Sequence, residues 1–156
     1  LKDVVRGVLA ISPDGREERV FTNEEMQFGY RHSVLSDNGY IALFASLQLA
    51  QGDPAAIALT MRELNQKRNS KQPVQYPSAG STFKRPAGHF AGKLIEDAGL
   101  KGASVGAAQV SEKHAGFLIN RGGATCDDML HLIELVQERV REQFGVELEC
   151  EVRIVR

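Results

Sequence analysis

The run from Tyr76 to Ile95 crowds two hydroxyls, a cation pair and small residues into a stretch too irregular for plain core. Ser78 and Ser81 flank Gly80, where the backbone can take positive φ or approach a ligand closely, and Lys84-Arg85 follows before Pro86 ends any strand. Hydroxyls, cations and open backbone together suit an anionic ligand. The plainer reading of the same residues is a tight turn entering a helix, its serines bonded to local backbone and its cations in water.

The surrounding pattern predicts the elements that must position this segment. Val4 to Ile11, the turn residues Ser12-Pro-Asp-Gly15 and Arg19 to Thr22 read as a β-hairpin, and Thr22 with Glu25 forms a capping box for a short helical turn. Tyr40 to Leu49 reads as an apolar strand buried on both faces. Asp53 and Pro54 begin a helix with Ile57, Met61 and Leu64 on one face, its C-terminal Lys67, Arg68 and Lys71 suiting the negative end of the helix dipole. A second helix is expected from His89 to Ala98, stopped by Gly99, and strands over Ala103 to Val110 and Gly116 to Asn120. Thr125 with Asp128 caps a long amphipathic helix bearing Met129, Ile133, Val136, Val140 and Phe144, closed by Gly145. Val146 to Ile154 alternates as a strand with Cys150 inward and Glu147, Glu149 and Glu151 on the solvated face. Helices and strands interleave from Asp53 onward, an α+β or α/β pattern.

Composition narrows the function classes. At 156 residues, 42% hydrophobic and 25% charged, the chain is ordinary globular protein, and a formal net charge of -1 supplies no global field to draw nucleic acid or a membrane surface. Cys126 and Cys150 fit neither a zinc pattern nor a disulfide framework and are expected as free thiols in a reducing compartment. No metal site is expected. The longest apolar run, Ile41 to Ala50, is broken by Ser46 and Gln48 and falls short of the ~20 residues a membrane helix needs.

Several motifs in order carry a family resemblance. Ser78-Ala-Gly-Ser-Thr-Phe-Lys-Arg-Pro86, Gly92-Lys-Leu-Ile95, Gly99-Leu-Lys-Gly102, Val110-Ser-Glu-Lys-His-Ala-Gly-Phe117 and Glu149-Cys-Glu-Val-Arg153, with Phe28-Gly-Tyr-Arg-His-Ser33 upstream, closely resemble UDP-N-acetylenolpyruvoylglucosamine reductase. The resemblance implies an α+β fold: residues 1–51 as the C-terminal remnant of an FAD-binding domain, and residues 52–156 as a mixed α/β domain binding the UDP-sugar substrate. It implies a cytoplasmic enzyme of peptidoglycan synthesis that uses NADPH and FAD to reduce UDP-N-acetylglucosamine enolpyruvate to UDP-N-acetylmuramate. The upstream loops for the cofactor diphosphate are expected outside this chain, which opens without Met and carries no glycine-rich dinucleotide fingerprint.

Residue by residue, the resemblance implies Ser81 as the proton donor to the enolpyruvyl carbon, Arg31 as the grip on the substrate carboxylate, and Glu151 as a second acid. Arg85 and His114 would hold the nucleotide diphosphate, as in the family's shorter-loop branch, with Lys84 and Tyr30 as further substrate contacts; packing is the plainer role for Tyr30. The short connection from Gln51 to Ser78 leaves little room for the loop insertion of the longer branch. Cys150 stands where many members carry proline. A competing reading is a nucleotide-sugar binding module without redox chemistry.

Overall fold

The computed structural model describes residues 2–154 and divides into two compact units, Leu1–Ile57 and Ala58–Arg156. The first unit is an antiparallel sheet of β1 (Val5–Ile11), β2 (Glu18–Thr22) and β3 (Ile41–Leu47) in the order β2-β1-β3, with a one-turn helix α1 (Leu35–Asn38). Its hairpin closes on Ser12: the Ser12 backbone N–H donates to Glu17 O at 2.8 Å, while its hydroxyl donates to Asp14 and accepts from the Arg16 and Glu17 amides. The Thr22 and Glu25 capping box forms as the sequence predicts, each side chain accepting from the other's backbone N–H. Val5, Val8, Ala10, Phe21 and Met26 make a small buried cluster.

The strand after α1 corrects the sequence reading. Every residue of β3 is exposed, and Phe44 is 73% and Ile41 58% accessible. β3 sits at the edge of the sheet, pairs only with β1, and takes no cover from the small cluster. Apolar composition sets what a strand could bury, whereas the neighbouring elements decide whether it does.

α2 (Pro54–Lys71) starts where expected, with the Asp53 carboxylate accepting from the Ala55 and Ala56 amides. Its predicted apolar stripe is not core: Ile57, Met61 and Leu64 are all exposed, and no residue of the helix is buried.

The second unit holds a four-stranded antiparallel sheet in the order β4-β7-β6-β5, formed by β4 (Ser78–Ser81), β5 (Ser104–Val105), β6 (Ala108–Val110) and β7 (Phe117–Asn120). The single strand predicted over Ala103 to Val110 is a hairpin, because Gly106-Ala107 turns the chain back on itself. α3 (Ala91–Asp97) starts two residues later than predicted. α4 (Cys126–Phe144) has the predicted capping box at Thr125 and Asp128 and ends at Gly145, whose N–H donates to Arg141 O. Leu94, Ile95, Val110, Leu118, Leu132, Ile133, Val136 and Val140 form its core, into which Leu132 enters unpredicted while Phe144 stays at the rim.

Val146 to Ile154 is not the alternating strand the sequence predicts. Only Cys150 bridges, opposite Phe83; Leu148 is buried, but Ile154 is 53% exposed and Glu151 is half-buried on what should have been the solvated face. A segment with a single bridge lacks the ladder that would hold a two-residue period. The overall class is α+β, as expected.

Candidate functional site

Gly80 decides which way Ser81 faces. β4 pairs with β7 through Ser78 opposite Ile119 and Ser81 opposite Phe117, so one extra residue lies on β4 between the two pairs. Gly80 takes φ +88° within that bulge. Without the bulge a regular strand would turn the Ser81 side chain to the opposite face.

The residues after Ser81 are fixed from both sides. The Thr82 N–H donates to Gly116 O at 2.9 Å, and the buried Thr82 hydroxyl accepts from Leu118 N. On the other flank Lys84 N donates to Glu149 O and Glu151 N to Thr82 O, both at 2.8 Å. These two bonds bring the closing acidic segment beside the serine segment, and the Lys84 ammonium pairs with the Glu149 carboxylate. They use Glu149 C=O and Glu151 N–H but not the Cys150 N–H, so a proline at position 150 would remove no bond of this bridge. Burial holds the Cys150 thiol above its ordinary range, as does the neighbouring Glu149 charge. Both cysteines are free thiols.

The Ser81 hydroxyl is half-buried and donates only a long bond, 3.4 Å, to Phe83 O. Its proton is therefore not committed to a strong local partner. Ser78 bonds local backbone as weakly, accepting from Gly80 N at 3.4 Å, so both serines make the local bonds of the plainer reading.

His114 is half-buried beside it. Its Nδ1 accepts from Gly116 N at 3.1 Å, and its ring meets Phe117 edge-on at 4.9 Å. The point where a Cβ on Gly116 would sit lies 3.2 Å from His114 Nδ1 and 3.5 Å from Ser81 Oγ, so serine and histidine border one small space. Arg85 spans the loop before α3: Nε donates to His89 O at 3.3 Å and the guanidinium stacks over Phe90 at 3.9 Å. That stacking holds the planar fork in place at an exposed position.

The second unit thus brings Ser81 beside His114 and the closing segment beside Thr82 and Lys84, with Arg85 in the loop before α3. Glu151 places its Oε2 in the interior. Lys84 is engaged with Glu149 and offers less to a ligand than Arg85.

Tyr30 and Arg31 lie in the first unit, at the centre of a tight turn closed by the Gly29 and His32 bridge. Arg31 has φ +54°, a left-handed conformation that costs an arginine of order 1 kcal/mol and clusters at functional positions. Its Nε donates to the Tyr30 hydroxyl at 3.3 Å, and its guanidinium lies 5.6 Å from the Tyr30 ring. Tyr30 is 74% exposed, which corrects the packing role expected for it.

Sequence reasoning missed Thr82, Glu149 and the backbone of Gly116 as supports. Thr82 and Gly116 were visible only inside longer motifs, and nothing in the residue pattern marks a backbone acceptor. Among the described residues no group of three or more His, Cys, Asp or Glu side chains could hold a metal ion, and no helix is long and apolar enough to cross a membrane.

A family model described as "UDP-N-acetylenolpyruvoylglucosamine reductase, C-terminal domain" matches residues 72–155, the span that holds Ser81, Lys84, Arg85, His114 and Glu151. The chain belongs to the UDP-N-acetylenolpyruvoylglucosamine reductase family. It is 54% identical over 99% of its length to proteins of that name from Caldanaerobacter subterraneus and Alkaliphilus oremlandii, covering 51% of each. It also superposes on the crystal structure of UDP-N-acetylenolpyruvylglucosamine reductase from Thermus caldophilus with a TM-score of 0.79 at 37% identity, covering 98% of this chain and 54% of that one. The chain spans about half the length of the curated relatives it matches.

Proposed function

We propose that this chain supplies the substrate-side residues of an enzyme that reduces UDP-N-acetylglucosamine enolpyruvate to UDP-N-acetylmuramate in cytoplasmic peptidoglycan precursor synthesis, with NADPH as reductant and FAD as carrier. The observation that carries this reading is the bulge-directed Ser81, held with an uncommitted hydroxyl proton beside His114 in the family-matched span. The division of labour follows the resemblance: residues 1–51 would belong to the flavin domain and residues 52–156 to the substrate domain.

The hairpin turn from Ser12 to Gly15 does not make a diphosphate cradle. A dinucleotide diphosphate needs a turn whose backbone donors are open. The tight turn of the first unit is closed on itself by Ser12 and carries the Asp14 carboxylate, which its bonds to Ser12 and Arg16 hold below its usual range and hence anionic. The flavin, when bound, would supply the hydride transfer.

What remains for protein groups is one proton and the negative charge it relieves. Ser81 would give its proton to the carbon next to the one that receives hydride; a hydroxyl can do so only to a strongly basic carbon held at contact distance. Arg31 would grip the substrate carboxylate and offset the charge that builds in the enolate. Glu151 would act as the second acid, sharing a proton with that carboxylate. Arg85, His114 and Lys84 would hold the nucleotide diphosphate, and Tyr30 would support Arg31.

A second reading is a nucleotide-sugar binding module without redox chemistry, which needs only the phosphate-binding candidates Arg85 and His114. A chimera joining the remaining part of the Caldanaerobacter reductase to this chain separates the two. The reductase reading expects a yellow protein that oxidises NADPH when substrate is added. In stopped flow, Ser81→Ala should leave flavin reduction by NADPH intact and slow reoxidation by substrate by roughly two orders of magnitude or more. Unchanged reoxidation would remove Ser81 as donor.

A further inference from the structure

The glycines around His114 do more than join elements. Gly116 approaches the ring so closely that an added Cβ would sit 3.1 Å from Cε1 and 3.2 Å from Nδ1, while its own N–H donates to Nδ1 at 3.1 Å. Gly92, on α3, closes the other side: an added Cβ there would lie 3.5 Å from Cε1 and 3.4 Å from Gly116 N. Phe117 bounds the ring edge-on, and Ser111 fixes the loop by accepting from His114 N at 3.3 Å. Held on these sides, the ring cannot shift to admit a methyl group at position 116 without giving up its bond to the Gly116 amide.

That bond has a chemical consequence. A nitrogen that accepts from a backbone N–H carries no proton of its own, so the proton of the neutral ring is on Nε2, the nitrogen not used by the protein.

We propose that Gly116, backed by Gly92, is a positioning residue that locks His114 in the Nε2–H tautomer and presents that N–H as a fixed hydrogen-bond donor to an anionic ligand oxygen beside Ser81. The diphosphate as that anion rests on the nucleotide-sugar reading above; the locked ring does not. Histidine in this seat acts as a directed donor through Nε2, with Arg85 as the guanidinium candidate.

The test uses the 156-residue chain, with His114 ring signals assigned by their loss in His114→Gln. Long-range proton–nitrogen correlation spectra should show one tautomer, with Nδ1 unprotonated and Nε2 protonated, and Gly116→Ala should shift the ring signals or split them between tautomers. Calorimetry with UDP-N-acetylglucosamine then gives the coupling: Gly116→Ala should weaken binding roughly tenfold when His114 is present and less than about twofold in the His114→Gln background, where no ring remains to clash. A ring protonated on Nδ1 in the unsubstituted chain, or equal losses in both backgrounds, overturns the proposal. Should Gly116→Ala not fold, Gly92→Ala is read in its place and should move the same ring signals by a smaller amount; unmoved signals overturn the proposal. Failure of the unsubstituted chain to bind UDP-N-acetylglucosamine would count against the nucleotide-sugar reading, while the ring spectra still decide the lock.

Discussion

The two units carry chemistry on different supports. In the second, Ser81 on β4 and the loops bearing Arg85 and His114 adjoin a sheet and helices packed on a continuous core of Leu94, Ile95, Val110, Leu118, Leu132, Val136 and Val140. In the first, Tyr30 and Arg31 stand on a strained turn near a cluster of only Val5, Val8, Ala10, Phe21 and Met26, and an apolar edge strand is open to solvent. A preorganised donor needs neighbours that cannot move, and only the second unit has them in depth. The contrast teaches that a residue's role and its support can be distributed separately: Arg31 is as chemically capable as Arg85, but it sits at a strained left-handed backbone position that its surroundings must maintain.

The sharpest way to break this comparison is at the closing acids. Glu151→Gln in the chimera should lower turnover by about a hundredfold or more, while Glu147→Gln and Glu149→Gln should stay within about tenfold of the unsubstituted chimera. All three remove one charge from one short segment, so the difference reports position. Glu149 tests the Lys84 pair and Glu147 serves as the exposed control. Equal turnover in the three variants would show that the inward Oε2 of Glu151 has no special task.

A second test compares the cores. Leu132→Ala should destabilise the second unit by about 2–5 kcal/mol in urea unfolding, whereas Phe44→Ala on the exposed β3 should change stability by less than ~0.5 kcal/mol. Leu132 is 0% and Phe44 73% accessible, so a large cost at Phe44 would mean that β3 is covered in solution.

These residues also mark how far the sequence could be read. The Thr125 and Asp128 capping box, the Asp53 cap and the Gly145 stop were legible because each is settled within a few residues by bonds between a side chain and the adjacent backbone. The motif around Ser81 announced a site, but the bulge at Gly80 that aims the serine depends on register against β7, which no local pattern records. β3 and the segment from Val146 to Ile154 were misread for one reason: hydrophobic periodicity reports which residues could be buried, and the partner strand decides which are. The turn that lifts Arg31 into a left-handed conformation leaves no mark either, since glycine or asparagine would be the expected residue there.

The smallest expected effect is at the α4 cap. Thr125→Ala should cost about 1 kcal/mol of stability. The Asp128 carboxyl is held below its ordinary 3.8, chiefly by the Thr125 N–H that it accepts. Its stabilising contribution is therefore complete at neutral pH and is lost as pH falls through the lowered folded-state value. Thermal melts in acid should show a steeper loss for the unsubstituted chain than for Asp128→Asn; parallel losses would mean that the cap carries no pH-dependent stability.

The central claim is that the second unit supplies a foothold for a nucleotide sugar and does not by itself carry out the reduction. Titrating the 156-residue chain with UDP-N-acetylglucosamine, followed by backbone amide shifts and paired with an NADPH oxidation assay containing added FAD and substrate, tests both halves at once. The account predicts weak, saturable shifts clustered at Ser81, Arg85, His114 and Gly116 with negligible turnover. Shifts confined to the first unit, or robust substrate-dependent turnover from this chain alone, would contradict it.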